Sequence, residues 1–259
     1  MEDNIIENLK ERVRDYPSTI TSEEIEYICQ MYDSIDTKAC NSIYGINIDP
    51  DLIRYNQEKI IKNKEELNEL LKSICLSSSV GKWLLKIKGM TPYLSAMCIS
   101  LFNVSGKEYA LQFLNYCGLS GQSTNFNKKA KAIIEKIGNI LSYNGDRYKS
   151  IFNERLAIEN EKNRAGSYSD LADHYIKNEN TSAADVFSFY SKGMLPPEHI
   201  RHKAKIWMEK IFVSHLFTEM YYSKYHKLPK KEREGGENIR YSEPEVPYIQ
   251  WYEEDPFQI

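Results

Sequence analysis

Apolar residues along this chain recur at helical spacing. Ile25, Ile28, Cys29, Tyr32 and Ile35 form one stripe; Ile200, Ala204, Trp207, Ile211, Leu216 and Met220 form a wider one. Recurrence at three and four residues marks amphipathic helices, so the pattern predicts an all-α protein. Residues 4–15 read as a first helix. A second begins at Thr21, where Thr21 and Glu24 make a capping box and Ile20 and Ile25 take the staple positions. A third, short helix is expected over Lys38–Tyr44, stopped by Gly45. Glu23, Glu24 and Glu26 fit the acids that complement a helix start better than a metal set.

Asp49-Pro50 opens a long helix, with Asp49 as cap and Pro50 at the first position. Within it Ile53, Ile60, Leu67 and Ile74 are spaced in sevens, with Asn56, Asn63, Leu70 and Ser77 at the intervening fourth positions. A heptad seam interrupted by asparagines is a register-fixing, coiled-coil-like pattern. It suits a second copy of the chain or the chain's own core. The asparagines favour the second copy, which makes a homodimer through this helical arm the expectation.

Ser77-Ser78-Ser79 breaks the arm and leads into residues 82–104. Leu84, Leu85 and Ile87 run into Lys88-Gly89-Met90, and Thr91-Pro92 then opens a helix carrying Leu94, Met97, Cys98 and Leu101. Glycine accepts a left-handed helix terminus without a Cβ clash. Thr91 is a cap, and Pro92 loses nothing at the first helical position. This is helix-hairpin-helix grammar, and an ordinary corner of an all-α core is written the same way. A hairpin of this kind aims backbone N–H groups at phosphate, which marks Lys86, Lys88, Gly89, Met90 and Thr91 as candidate nucleic-acid contacts.

Further on, Tyr109, Phe113, Leu114 and Cys117 face inward on a helix stopped at Gly118. A polar loop follows at 120–127, then a basic helix from Lys128 and another over Tyr148–Glu161. Two short helices start near Ser169-Asp170 and at Ser182 with Asp185. Leu195-Pro196-Pro197 precedes a last long helix, Glu198–His226.

Charge refines this picture more than composition does. With 41% apolar and 27% charged residues in 259, the chain has the make-up of a soluble globular protein. No apolar run approaches the ~20 residues that span a bilayer, so no membrane partner is expected. Five cysteines, an odd number without a CxxC pair, read as core residues of a reducing compartment, hence a cytoplasmic expectation. The net charge of −3 hides a basic middle between acidic ends. Lys128, Lys129, Lys131 and Lys136 lie in one basic stretch, and Arg201, Lys203 and Lys205 in another. Such stretches fit an anionic polymer, DNA or structured RNA, although charge runs are also ordinary solvated helix faces. His199 and His202 stand three apart but lack a third ligand in the sequence, so neither metal nor cofactor is expected. After Arg233, seven acids stand against Arg240, interleaved with Tyr241, Tyr248, Trp251, Tyr252 and Phe257. This tail reads as extended or disordered. It fits a docking segment for another protein, a cover for the chain's own basic groove, or a solvated tail.

One order of motifs is more specific than any of its parts. After the arm come Ile87-Lys88-Gly89-Met90-Thr91-Pro92, Phe113-Leu114-Asn115-Tyr116-Cys117-Gly118-Leu119 and Ile134-Glu135-Lys136-Ile137-Gly138-Asn139. Tyr190–Gly193 and Ala204-Lys205-Ile206-Trp207-Met208-Glu209-Lys210-Ile211 follow. Over residues 50 to 226 the chain resembles the C-terminal half of bridge-RNA-guided insertion-sequence transposases, which join a RuvC-like acidic domain to a serine-bearing domain. The resemblance implies a nucleic-acid-binding helical domain. Two departures bear on catalysis. Only about fifty helix-patterned residues stand before the arm, too few for a nuclease domain of normal size. The loop Ser120-Gly121-Gln122-Ser123 has no serine at the family's offset, leaving Ser120 and Ser123 as the weak candidates.

The expected organisation is a helical cap at 1–48, an arm at 49–78, a transposase-like helix-hairpin-helix domain at 79–228 and an acidic aromatic tail at 229–259. The expected function is non-catalytic nucleic-acid binding. A truncated serine transposase or recombinase accessory enzyme, and a protein–protein module of a phage or mobile element, are the alternatives.

Overall fold

The computed structural model describes residues 2–43, 50–121, 125–178 and 184–229, with side chains over 8–35, 58–121, 125–177 and 186–229. Every regular element among them is helical. In order they are α1 (Glu2–Asp15), a 3-10 turn (Pro17–Thr19), α2 (Ser22–Ile43), α3 (Pro50–Leu76), α4 (Ser79–Lys86) and α5 (Pro92–Leu101). The second half adds α6 (Leu111–Tyr116), α7 (Lys128–Asn144), α8 (Asp146–Arg164), α9 (Ser169–Asn178), α10 (Ala184–Tyr190) and α11 (Pro197–Tyr225). The expected stop at Gly45, the caps at Asp49 and Ser182, the Ser123 candidate and the tail from 230 lie outside the described residues, as does the Ile53 side chain.

Local signals account for most boundaries. The capping box forms reciprocally: Thr21 N–H donates to Glu24 Oε2 at 2.9 Å, and Glu24 N–H to Thr21 Oγ1 at 3.2 Å. Those contacts, the Thr21 amide first, hold the Glu24 carboxyl below its ordinary pKa. Ser78 caps α4 by accepting from Gly81 N–H at 3.0 Å, and Asn127 caps α7 by accepting from Ala130 N–H at 3.0 Å. The separate helix expected at 38–44 is instead the end of α2. Ile35-Asp36-Thr37-Lys38 contains neither glycine nor proline, so nothing there breaks the ladder.

The arm turns its apolar stripe inward. Leu67, Leu71, Ile74 and Cys75 are buried, while Asn63 is exposed and Ile60 half-buried. Buried positions at i, i+4, i+7 and i+8 make the broad face of a helix in a globular core, not an a/d seam. Leu67 and Ile74 are therefore occupied within the chain: α3 packs against α1, α2, α4 and α5. The cap residues Leu9, Val13, Ile25 and Ile28 belong to the same core as the hairpin and α11.

Two helices organise that core. α5 is buried continuously from Tyr93 to Cys98 and packs on α2, α3, α4 and α7. α11 packs on α4, α6, α7 and α8, with Phe217 edge-on to Phe113 at 5.0 Å and Tyr148 edge-on to Phe212 at 5.6 Å. Between α8 and α11, Arg155 pairs with Glu159 at 2.5 Å and lies 4.0 Å over the Trp207 ring, while Tyr168 donates its hydroxyl to Glu159. A satellite cluster of Ala172, Tyr190, Leu195 and Ile200 joins α9 and α10 to the start of α11. Asn163 latches the approach to it, donating from Nδ2 to the Leu195 carbonyl at 2.9 Å and accepting from Leu195 N–H at 2.8 Å.

Candidate nucleic-acid interface

The glycine turn between α4 and α5 has the geometry its sequence requires. Gly89 is at φ +96°, the left-handed region where a side chain is strained. Met90 N–H closes the turn on the Ile87 carbonyl at 3.0 Å, and Thr91 Oγ1 accepts from Leu94 N–H at 3.2 Å. The turn lies on the last part of α7: a Cβ at Gly89 would stand 2.9 Å from Ile140 Cγ2 and 3.6 Å from Asn144 Cβ.

This packing decides what the hairpin can offer an anion. Met90 is only 9% exposed. Tyr93 is buried against α2, its hydroxyl donating to Asp33 at 2.7 Å and its ring stacked on Tyr32 at 5.1 Å. Of the amides that open α5, Leu94 and Ser95 N–H already bind Thr91, and Pro92 has none. What faces outward is the side chains of Lys86, Lys88 and Thr91. Lys88 meets Asp146 at 2.8 Å with both groups largely exposed, an ion pair of the weak, exchangeable kind.

The α7 lysines fall elsewhere. Lys128 and Lys129 are exposed on the first turn, lining a cleft of about 460 Å³ with Glu26, Ser100, Tyr116 and Asn127. Lys129 bonds Glu26 at 2.8 Å, and that contact makes its ammonium more basic. Lys131 lies 4.9 Å over Phe126, and Lys136 lies 5.5 Å over Tyr93. At 1.5 Å per residue, Lys128 is about 18–24 Å along the helix from the Ile140–Asn144 turn that carries Gly89. The expected track is thus two clusters at opposite ends of α7, with Lys136 between them.

The three α11 bases fold back onto neighbours. Lys205 bonds Asn139 Oδ1 at 2.9 Å, Lys203 covers Tyr168 at 4.6 Å, and Arg201 lies 4.8 Å over Tyr143 and 5.0 Å over Phe152. Tyr143 is 61% exposed. Around residues 140–147 the chain therefore gathers Lys88 from the hairpin, with exposed Lys86 two residues before it, Arg201 from α11, Arg147 from α8 and an outward aromatic ring. Sequence reasoning missed Tyr143. Its signal was the run Glu135, Asn139, Tyr143, spaced in fours along the outer face of α7.

Beneath that face is a buried acid. Glu209 on α11 is 2% exposed and occupies the space opposite Gly138, where a Cβ would stand 2.0 Å from Glu209 Oε1. That oxygen has no hydrogen-bond partner, and Lys205 Nζ is 4.0 Å away. Burial pushes the carboxyl up to about 7, against the pull of Lys205. Burial also lowers His202, with Lys205 adding to the effect.

The chemical candidates sit poorly for reaction. Ser120 is buried beside the end of α6, away from any polymer that does not enter the fold. His199 packs on Tyr175 and Tyr190, ring centroids 5.2 and 6.1 Å away. Among the described residues, no group of three or more His, Cys, Asp or Glu side chains is placed to hold a metal ion, and no helix is long and apolar enough to cross a membrane. The Cys29, Cys75 and Cys117 thiols are pushed up to about 12 by burial, which leaves almost no thiolate at neutral pH. No protein-family model, curated protein or solved structure matches the chain.

Proposed function

We propose that this is a non-catalytic nucleic-acid-binding protein, related to the C-terminal half of the bridge-RNA-guided transposases. It grips its ligand with side-chain cations and a stacking ring at the α7–α8 corner rather than with hairpin amides. The observation that carries this is the convergence of exposed Lys86, Lys88 and Arg147 with the Arg201–Tyr143 pair. Cations track a phosphate chain, and an exposed ring backed by a guanidinium offers a face to an unpaired base. Asp146 is the acid within this group, and phosphate displaces its carboxylate from Lys88 without disturbing the core. Lys128, Lys129 and Lys136 extend the contact along α7 for longer ligands.

Fluorescence anisotropy with single-stranded DNA, duplex DNA and hairpin RNA at low salt tests the proposal. Single strands are expected to bind best, with log affinity falling against log salt at a slope of about −2 to −3 for three to four contacted phosphates. Lys86→Glu, Lys88→Glu and Arg147→Glu together should lower affinity at least about ten-fold. Glutamates at Lys128, Lys129 and Lys131 should weaken long ligands more than short ones. No binding of any of the three ligands would overturn the proposal.

A second reading concerns the arm. Ile60 is half-buried and Ile61 is 56% exposed on the part of α3 that precedes the core-packed stripe. This end of the arm suits a homodimer contact. Sedimentation equilibrium tests it: Ile60→Asp with Ile61→Asp should convert a dimer to a monomer, and a monomeric wild type removes it.

A further inference from the structure

The last turn of α11 is fastened to the first turn of α4. Ser223 Oγ and Ser79 Oγ are 2.8 Å apart, and Lys224 also binds Ser105. The described chain ends at Pro229, six residues past that fastening, so the sequence that follows begins near the start of α4. From that point α4 leads away with exposed Lys82 and Lys86, one turn apart on the same face, and then the exposed Lys88. Beside the junction, Leu76, Tyr225 and Leu228 are exposed apolar groups. The departing chain starts with Lys230, Lys231 and Arg233. It then turns strongly acidic: Glu234, Glu237, Glu243, Glu245, Glu253, Glu254 and Asp255 against Arg240.

We infer that residues 234–259 dock in cis on the basic row Lys82, Lys86, Lys88 and on the corner beyond it, with aromatic side chains over the apolar step. Nucleic acid must then displace the chain's own acidic segment. Charge and length both point to this occupant. Five residues of extended chain reach about 17 Å, which carries Glu234 past the whole of α4. The remaining residues reach the Tyr143–Arg201 pair with slack, since Tyr225 and Arg201 are about 36 Å apart along α11. The lysines at the start of α7 are a poorer host, because Glu26 of α2 lines the cleft beside them and already holds Lys129. At the corner Asp146 lies on the surface with Lys88, and Glu219, on the α11 helix that packs against α4, is half-buried. The docking rests on the sequence and this surface; the competition with nucleic acid rests on the function proposed above.

The test uses the full chain in two arms. Zero-length carbodiimide cross-linking at low salt, on a mixture of isotopically light and heavy protein, reports docking without any ligand. Links from Glu234, Glu237 or Glu243 to Lys82, Lys86 or Lys88 within one isotope class are expected. Links confined to Lys128 and Lys129, links between isotope classes only, or none, overturn the inference. In the second arm the six glutamates are changed to Gln and Asp255 to Asn. That variant should bind a single-stranded thymidine oligonucleotide about ten-fold more tightly than wild type at low salt, the gap closing at high salt. Equal affinities of two binding forms overturn the competition. If neither form binds while the cis links are present, docking stands and the nucleic-acid reading falls.

Discussion

Glu209 makes stability depend on pH in a direction opposite to most carboxylates. Its folded pKa is about 7 against an ordinary 4.5, because ionising it inside the α7–α11 contact strips water from the charge. Below pH 4.5 the group is protonated both folded and unfolded, and it makes no difference to the balance. As pH rises from 4.5 to about 7 the unfolded chain loses this proton first, so stability falls; above that the loss is complete. At about 1.4 kcal/mol per pH unit the interval amounts to about 3 kcal/mol. Lys205, 4.0 Å from Oε1, and Lys131 pull the carboxyl down while Glu135 pushes it up. His215, lowered to about 3 by burial, tilts the acid side the other way. Comparing wild type with Glu209→Gln cancels every contribution except this one. Urea unfolding at pH 5 and pH 8 should show the two proteins within about 1 kcal/mol at the lower pH. At the higher pH Glu209→Gln should be more stable by about 3 kcal/mol, with the same dependence on urea. Parallel pH profiles would refute the idea that Glu209 is neutral when folded.

Asn163→Ala leaves the buried N–H and carbonyl of Leu195 without their partner, so chemical denaturation should show a loss of about 2–4 kcal/mol. Gly89→Ala meets both a strained φ and Ile140 Cγ2; thermal melts should register a destabilisation of about 2 kcal/mol or more. Tyr143→Ala, at an exposed ring, should leave stability within about 0.5 kcal/mol of wild type. The same change should weaken single-strand binding by about 1–3 kcal/mol in anisotropy titrations.

The helices were legible because their ends are written in short-range chemistry. Thr21 with Glu24 and Thr91 with Pro92 act within four residues, and propensity and capping are local effects. What lay beyond reach was which face meets what. Ile60, Leu67 and Ile74 satisfy a heptad, yet Leu71 and Cys75 complete a wider stripe that only packing against α2 and α5 selects. The hairpin was readable as a turn, whereas the burial of Met90 depends on α7 arriving from fifty residues later. The basic residues of α11 were visible as charge. Their service as partners of Tyr143, Tyr168 and Asn139 was not, because a cation's nearest neighbour is a tertiary fact.

The satellite cluster has a consequence for motion. Among the described side chains, Ala172, Tyr190, Leu195 and Ile200 are the ones fully enclosed there, against several tens in the main body. A unit with so few enclosed groups opens on its own at a fraction of the global free energy, so amide protons of α9 and α10 should trade with deuterium well before those of α5. Because α11 threads both regions, only its first turns would loosen with them. The protein would thereby acquire a soft shoulder on an otherwise cooperative body.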